Sequence, residues 1–165
     1  MIADIENMST EQIATVIAGH DTLIWTAGAG GSNPARTYAV DRDAAINTID
    51  AAAAAGVDRF IMISYFGASL DHSVPESNSF FAYAEAKAAA DEHLRHSSLR
   101  WTILGPSALT LEPPTGLIDI APPGPSGEVS RADVAAVIAA TIGNDATIGR
   151  FIEFNNGATP IAAAL

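Results

Sequence analysis

Tyr83 and Lys87 stand four residues apart in the Ala-rich stretch Ser79-Phe-Phe-Ala-Tyr-Ala-Glu-Ala-Lys-Ala-Ala-Ala-Asp-Glu-His-Leu94. The stretch predicts a helix over residues 78–97, on which that spacing puts both side chains on one face, one turn apart. An ammonium beside a phenol favours the phenolate. It therefore lowers a pKa that is about 10 in free tyrosine and makes the hydroxyl a better proton donor and acceptor. Lys87 is the only lysine among eight basic residues, and everywhere else the chain uses Arg. A planar guanidinium cannot supply the compact point charge that coupling to a phenol needs. The pair thus reads as an acid/base unit, set against the plain alternative of an exposed Lys that happens to follow a core Tyr.

The elements that must position this pair follow from capping and periodicity. Ser9-Thr-Glu-Gln12 has the form of a capping box and predicts a helix over 10–18 that ends at Gly19. Residues 21–27 form a short apolar run rich in strand formers, followed by a glycine-rich loop through Pro34. A helix is expected from Val40 to Ala55, closed by Gly56, then a buried strand over 58–65 and a polar loop to residue 77. After the Tyr/Lys helix come a strand at 100–105 and a segment, 105–127, with six prolines and four glycines. That segment is expected to be an irregular substrate-facing loop, with residues 116–120 as a short edge strand. Ser130-x-x-Asp133 caps a last helix to Ile142, and residues 150–154 make a final strand. Strands alternating with helices call for a doubly wound parallel sheet, whose ligands sit beyond the carboxyl ends of the strands. Ala27–Gly31, Ser64–Gly67 and Gly105–Ala108 are expected there.

Four segments in order carry a family resemblance: Ile61-Met-Ile-Ser-Tyr-Phe-Gly-Ala68, Tyr83-Ala-Glu-Ala-Lys87, Trp101-Thr-Ile-Leu-Gly-Pro106 and Ser130-Arg-Ala-Asp-Val-Ala135. Together they resemble the atypical short-chain dehydrogenase/reductases of the NAD(P)H-binding, epimerase/dehydratase-like and NmrA-like group. The resemblance implies a Rossmann-like α/β fold, NAD or NADP as cofactor and a small carbonyl or alcohol as substrate. It implies that Tyr83 transfers a proton, that Lys87 tunes it and holds the nicotinamide ribose, and that Ser64 hydrogen-bonds the substrate carbonyl; Ser69 and Ser73 are substitutes for Ser64. Ala27, Gly28, Ala29 and Gly30 resemble the small-residue loop where backbone approaches the dinucleotide, and glycine permits that approach. Asp4 and Ile5 resemble the end of a strand that meets the adenine, and Pro106 and Ser107 fall where the family contacts cofactor. Gly105 replaces the Arg usual before that Pro.

The family also has a first strand, a Gly-x-x-Gly-x-x-Gly turn, a helix and a second strand, none of which precedes Met1. The expected sheet is therefore N-terminally truncated, and the strand at 21–27 lacks its inner neighbour. With that bare edge the chain is expected to be a poorly soluble monomer or a homodimer joined across it, unless upstream chain completes the sheet. The alternative to an enzyme is a non-catalytic dinucleotide sensor, or a scaffold remnant that has lost its ligand.

Composition narrows the classes. A chain of 165 residues is expected to form one domain burying roughly 68–70% of its unfolded surface. Its 48% hydrophobic and 16% charged residues describe an ordinary globule, without an apolar run of membrane-spanning length. The first twenty residues mix Asp4, Glu6 and Glu11 with polar residues and lack signal-peptide character, so a soluble, cytoplasmic protein is expected. There is no cysteine for a disulfide, a thiolate nucleophile or a Cys-bound metal. A net charge of −11 argues against a nucleic-acid partner. His93 and His96 sit near a helix C-terminus, where the macrodipole alone favours imidazoles, so no metal site is expected.

Overall fold

The computed structural model describes residues 2–30, 33–120 and 126–165. The chain divides into two compact units, one made of Met1–Phe60 and Ala68–Arg100, the other of Ile61–Gly67 and Trp101–Leu165. Gly31 and residues 121–125, parts of two predicted loops, lie outside the described residues.

The first unit opens with α1 (Thr10–Ile17), whose capping box forms as predicted: the Ser9 hydroxyl accepts from the Gln12 amide, and the Gln12 side chain accepts from the Ser9 amide at 2.9 Å. Strand β1 (Thr22–Trp25) follows, then a continuous helical run of α2 (Pro34–Thr37), a π-helical turn (Tyr38–Ala44) and α3 (Ala45–Ala55). This run starts six residues earlier than the periodicity predicts. Pro34 occupies the first helical position, where its missing N–H costs nothing, and Asn33 caps the end by accepting from the Arg36 amide. Gly56 closes the run at φ +73°, a left-handed C-cap, as expected. Strand β2 (Arg59–Ile63) begins in this unit, where the guanidinium of buried Arg59 donates to the Arg100 carbonyl at 2.7 Å. Helix α4 (Phe81–Arg95) packs on the π-helical turn and on α3, with Ala84, Ala86, Ala88 and Ala90 buried to allow close approach.

In the second unit, β3 (Arg100–Pro106) runs parallel to β7 (Arg150–Asn156), with Gly105 opposite Glu153. A Cβ at Gly105 would lie 2.7 Å from the Phe151 ring and 3.1 Å from the Tyr65 carbonyl, so no larger residue fits without displacement. Strands β4 (Ala108–Thr110) and β6 (Glu128–Ser130) form a separate parallel pair inside the stretch expected to be irregular. Strand β5 (Leu117–Ile120) is not an edge strand as expected. It lies antiparallel between β7 and the two-residue β8 (Thr159–Pro160). Helices α5 (Arg131–Ile142) and α6 (Ile161–Ala164) complete the unit. Its core joins Ile61, Leu104, Ile118, Val129, Val137, Ile152 and Phe154, all essentially solvent-free.

Neighbouring strands hydrogen-bond in the order β1-β2-β3-β7-β5-β8. Strand β3 pairs parallel with β7, and β5 pairs antiparallel with both β7 and β8. Strand β1 stands at the opposite end of that order.

Candidate active site

Helix α4 carries Tyr83 and Lys87 one turn apart, in contrasting surroundings. Tyr83 is half-buried, its ring centroid 5.2 Å from that of Phe80. Together with Gly30, Ser79 and Phe80 it lines an open pocket of about 290 Å³. Lys87 is 1% exposed, which excludes the reading of it as a solvated helix cation. Burial drives its ammonium below the ordinary lysine range, opposed by the carboxylates of Asp91, one turn further along α4, and Asp41.

Asp41 stands near where extended members of the resembled family carry Asn, though the sequence assigns it no role in the site. It lies in the middle of the π-helical turn, 1% exposed, and its Oδ2 accepts from the Ala29 amide at 3.0 Å. Burial pushes its carboxyl up; the Ala29 N–H and the charges of Lys87 and Arg36 act the other way. A Cβ on Gly28 would come within 3.1 Å of Asp41 Oδ1, a tight approach that a larger residue would relieve only by a small shift of that carboxylate. The structure therefore brings together Gly28, Ala29, Gly30, Tyr83 and Lys87, with Asp41 as the link. Helix α2 starts at Pro34, the residue with which the predicted loop is expected to end.

A second unforeseen anchor lies ahead of α4. Val74 N–H donates to His72 Nδ1 at 3.1 Å, so the imidazole proton sits on Nε2, which donates to Glu85 Oε1 at 2.9 Å. The His72 ring packs edge-on against Phe81, fixing the loop to the helix two residues on either side of Tyr83. Ser73, within that loop, takes a positive φ of 54°. Ser69 and Ser73 are both exposed there.

Asp4 and Ile5 fall in a turn and not at the end of a strand: the Asp4 carbonyl accepts from the Asn7 amide and its carboxylate from the Asn7 side chain. Nothing upstream of Ser9 forms a strand among the described residues. His93 contacts Asp50 at 2.7 Å, whereas His96 donates to the Glu92 carbonyl, so the two imidazoles point to different partners.

In the second unit, Ser64 directly follows β2 and is 4% exposed, its amide donating to the Leu104 carbonyl at 2.8 Å. Pro106 ends β3 and Ser107 follows it, with the Ser107 amide bonded to Phe154 O and its buried hydroxyl without a hydrogen-bond partner among the described residues. Asp133, capping α5, is fully buried and accepts from the amides of Thr115 and Gly116 and from the hydroxyls of Thr115 and Ser130, at 2.8–3.2 Å.

The strand order and helical connections are those of a Rossmann-like α/β fold. The chain belongs to the NAD(P)H-binding family, whose sequence profile matches residues 1–145. It is 40% identical to a sugar epimerase of Bacillus subtilis, YhfK, itself uncharacterized, over all of this chain and 76% of that protein. Among solved structures, a protein from Bacillus halodurans assigned as an NAD-dependent epimerase/dehydratase superposes with a TM-score of 0.89 at 34% identity, covering 98% of this chain and 74% of its own. The oxidoreductase ylbE from Lactococcus lactis gives 0.89 at 32%, covering 99% and 74%. The chain thus spans about three quarters of these relatives, and its cofactor class is NAD(P)(H).

Proposed function

We infer that the chain is an NAD(P)-dependent oxidoreductase or epimerase/dehydratase-like enzyme acting on a small carbonyl or alcohol through Tyr83, Lys87 and Ser64. The observation that carries this reading is the burial of the only lysine one turn from a tyrosine that opens onto a pocket shared with the glycine loop. The exposed backbone of Gly28 and Gly30 fits the close approach of a dinucleotide. The bound nicotinamide supplies or accepts the hydride. In the reducing direction Tyr83 donates its phenolic proton to the substrate oxygen, and Lys87 stabilises the phenolate that remains. Ser64 is assigned the hydrogen bond that holds the carbonyl oxygen. Asp4, Ile5, Ala27, Pro106 and Ser107 are assigned to the cofactor on the resemblance alone.

Turnover of nicotinamide cofactor on a panel of small carbonyls, wild type against Tyr83→Phe, tests this. Loss of about 10²-fold or more is expected for removal of a general acid, and equal turnover would remove Tyr83 from the mechanism. A second reading, a dinucleotide sensor or scaffold without catalysis, is favoured by the ion cluster of Lys87 with Asp41 and Asp91, which could be structural. Thermal melting with NAD, NADH, NADP and NADPH separates the two, because a ligand at 100 times its Kd adds about 2.7 kcal/mol to the native state. No shift with any of the four leaves only the scaffold. Among the described residues no helix is long and apolar enough to cross a membrane; a cytoplasmic location is part of the same proposal. The same reading includes a homodimer formed across the β1 edge.

A further inference from the structure

We propose that Glu153 is a positioning residue for the Ser64 segment: its carboxylate reaches from β7 across β3 and holds the chain that continues β2, from Ser64 to Gly67, against the sheet. The proposal rests on the reading that Ser64 hydrogen-bonds the substrate oxygen.

Three observations within the second unit carry it. The Gly67 amide donates to Glu153 Oε1 at 2.7 Å, across 86 positions of sequence. Strand β3 lies between β2, which this segment continues, and β7, so the side chain spans a whole strand. Its path is open because of Gly105. Ile152 and Phe154 are buried in the core, so Phe151 and Glu153 share the other face of β7. Gly105 stands in register with Glu153, and a Cβ there would lie 2.7 Å from the Phe151 ring and 3.1 Å from the Tyr65 carbonyl. The departure of Gly105 from the Arg of the resembled family and the reach of Glu153 are thus one feature, since a side chain at this position would obstruct the crossing. Finally, the bond extends the pairing past Ser64. The amides of Ser64 and Phe66 donate to the carbonyls of Leu104 and Pro106 at 2.8 and 3.0 Å, and the Gly67 amide follows with Glu153, at a residue whose φ is +84°. A strand end frays from its last hydrogen bond inward, so each bond beyond Ser64 makes release of that residue rarer. Asn155, on the same face of β7, holds the Gly127 amide at 2.9 Å with a neutral oxygen, so an amide alone does not call for a carboxylate. At Gly67, which is exposed, the charge strengthens a bond that water can reach, since charge-assisted bonds are roughly twice as strong as neutral ones.

Labelling glycine and phenylalanine with ¹⁵N gives the Gly67 and Phe66 amides as reporters. Wild type, Glu153→Ala and Glu153→Gln are compared, with urea midpoints reporting global stability. Glu153→Ala removes the acceptor, and hydrogen exchange at Gly67 should rise about fivefold or more, with Phe66 following in the same direction. Glu153→Gln keeps an oxygen and should bring Gly67 exchange back to within about threefold of wild type. Should the Ala variant fail to fold, Glu153→Met, of similar length and without an acceptor, takes its place. Unchanged Gly67 exchange in the variant without an acceptor overturns the proposal. Action through Ser64 is read from a double-mutant cycle on a small carbonyl that the wild type reduces. Glu153→Ala should lower kcat/KM about tenfold on its own and less than about twofold when Ser64→Ala is already present. Equal losses in both backgrounds overturn the proposal, because a residue that merely stabilises the sheet would weaken either enzyme alike. If the wild type turns over no carbonyl, the enzymatic reading fails, and the Gly67 and Phe66 amides still decide whether Glu153 holds the segment.

Discussion

Replacing Asp133 by Ala should be among the most damaging single changes in the second unit. Its carboxylate is fully buried and serves four donors: the amides of Thr115 and Gly116 and the hydroxyls of Thr115 and Ser130. Truncation strands two backbone N–H groups, each worth about 1–3 kcal/mol when left buried and unpaired. The hydroxyls can rotate to other acceptors, and a water entering the vacated space recovers part of the loss, so the expected cost is about 3–4 kcal/mol. Against a typical total of 5–15 kcal/mol that is a large fraction. With an m-value near 2 kcal/mol/M it lowers the urea midpoint by about 1.5–2 M. The pH dependence gives an independent check. Burial pushes this carboxyl up, but the N–H groups of Thr115 and Gly116 and the hydroxyls of Ser130 and Thr115 outweigh it and hold the group below the ordinary range. The unfolded chain therefore takes up the proton at higher pH than the folded one. Stability from Asp133 is full above the unfolded pKa of about 4 and is lost as pH falls through the lower folded value. The gap between wild type and Asp133→Ala, followed by urea denaturation from pH 7 to pH 2.5, should narrow only on the acid side. A midpoint shift below about 0.5 M at pH 7, or a gap that does not narrow, would refute the account.

Two further outcomes follow from the first unit. Because burial holds the Lys87 ammonium below its ordinary range, the unfolded chain binds the proton more tightly, so wild-type stability should rise as pH climbs through the lowered folded value toward the unfolded one of about 10.4, with a slope of at most about 1.4 kcal/mol per pH unit. Urea midpoints between pH 7 and 10 should lack that rise in Lys87→Met, and equal slopes would mean that Lys87 is hydrated in solution. At the β1 edge, Val16, Ile17, His20, Leu23, Ile24 and Val57 border a groove of about 360 Å³, and Ile24 is exposed. Sedimentation is expected to give a dimer for wild type and a monomer for Ile24→Lys; a monomeric wild type defeats the assembly.

Much of the fold was legible where a local physical rule decides the backbone. Ser9 and Gln12 cap reciprocally, Gly56 takes the left-handed turn that only glycine takes cheaply, and the Arg59–Ile63 run is buried as its composition suggests. The helix start at Pro34 was not legible from the apolar periodicity, because proline breaks helices in their interior yet suits their first position, and only Asn33 just before it signals which case holds. The short strands β4 and β6 sit among prolines and glycines that mask them, and the place of β5 between β7 and β8 was hidden too, because these pairings are settled by partners far along the chain. Gly105, a departure from the family pattern, has its reason in Phe151, which fills the space a side chain would need.

The site divides along the same line. Tyr83 and Lys87 were legible because helical spacing is a local property and a lone lysine is visible in composition. Which charges are buried was not. Of the neighbouring charges Asp41, Arg42 and Asp43, two stay outside: Arg42 and Asp43 pair with each other at 2.7 Å on the surface. Asp41 turns inward only because the π-helical turn shifts the helix register, a feature with no sequence signature. Once inside, it needs Ala29 and Lys87, residues 12 and 46 positions away, to make its burial tolerable. A local rule can thus place the proton-transfer pair on its helix. The carboxylate that would link this pair to the cofactor loop emerges only when the tertiary fold brings three separate segments around one buried charge.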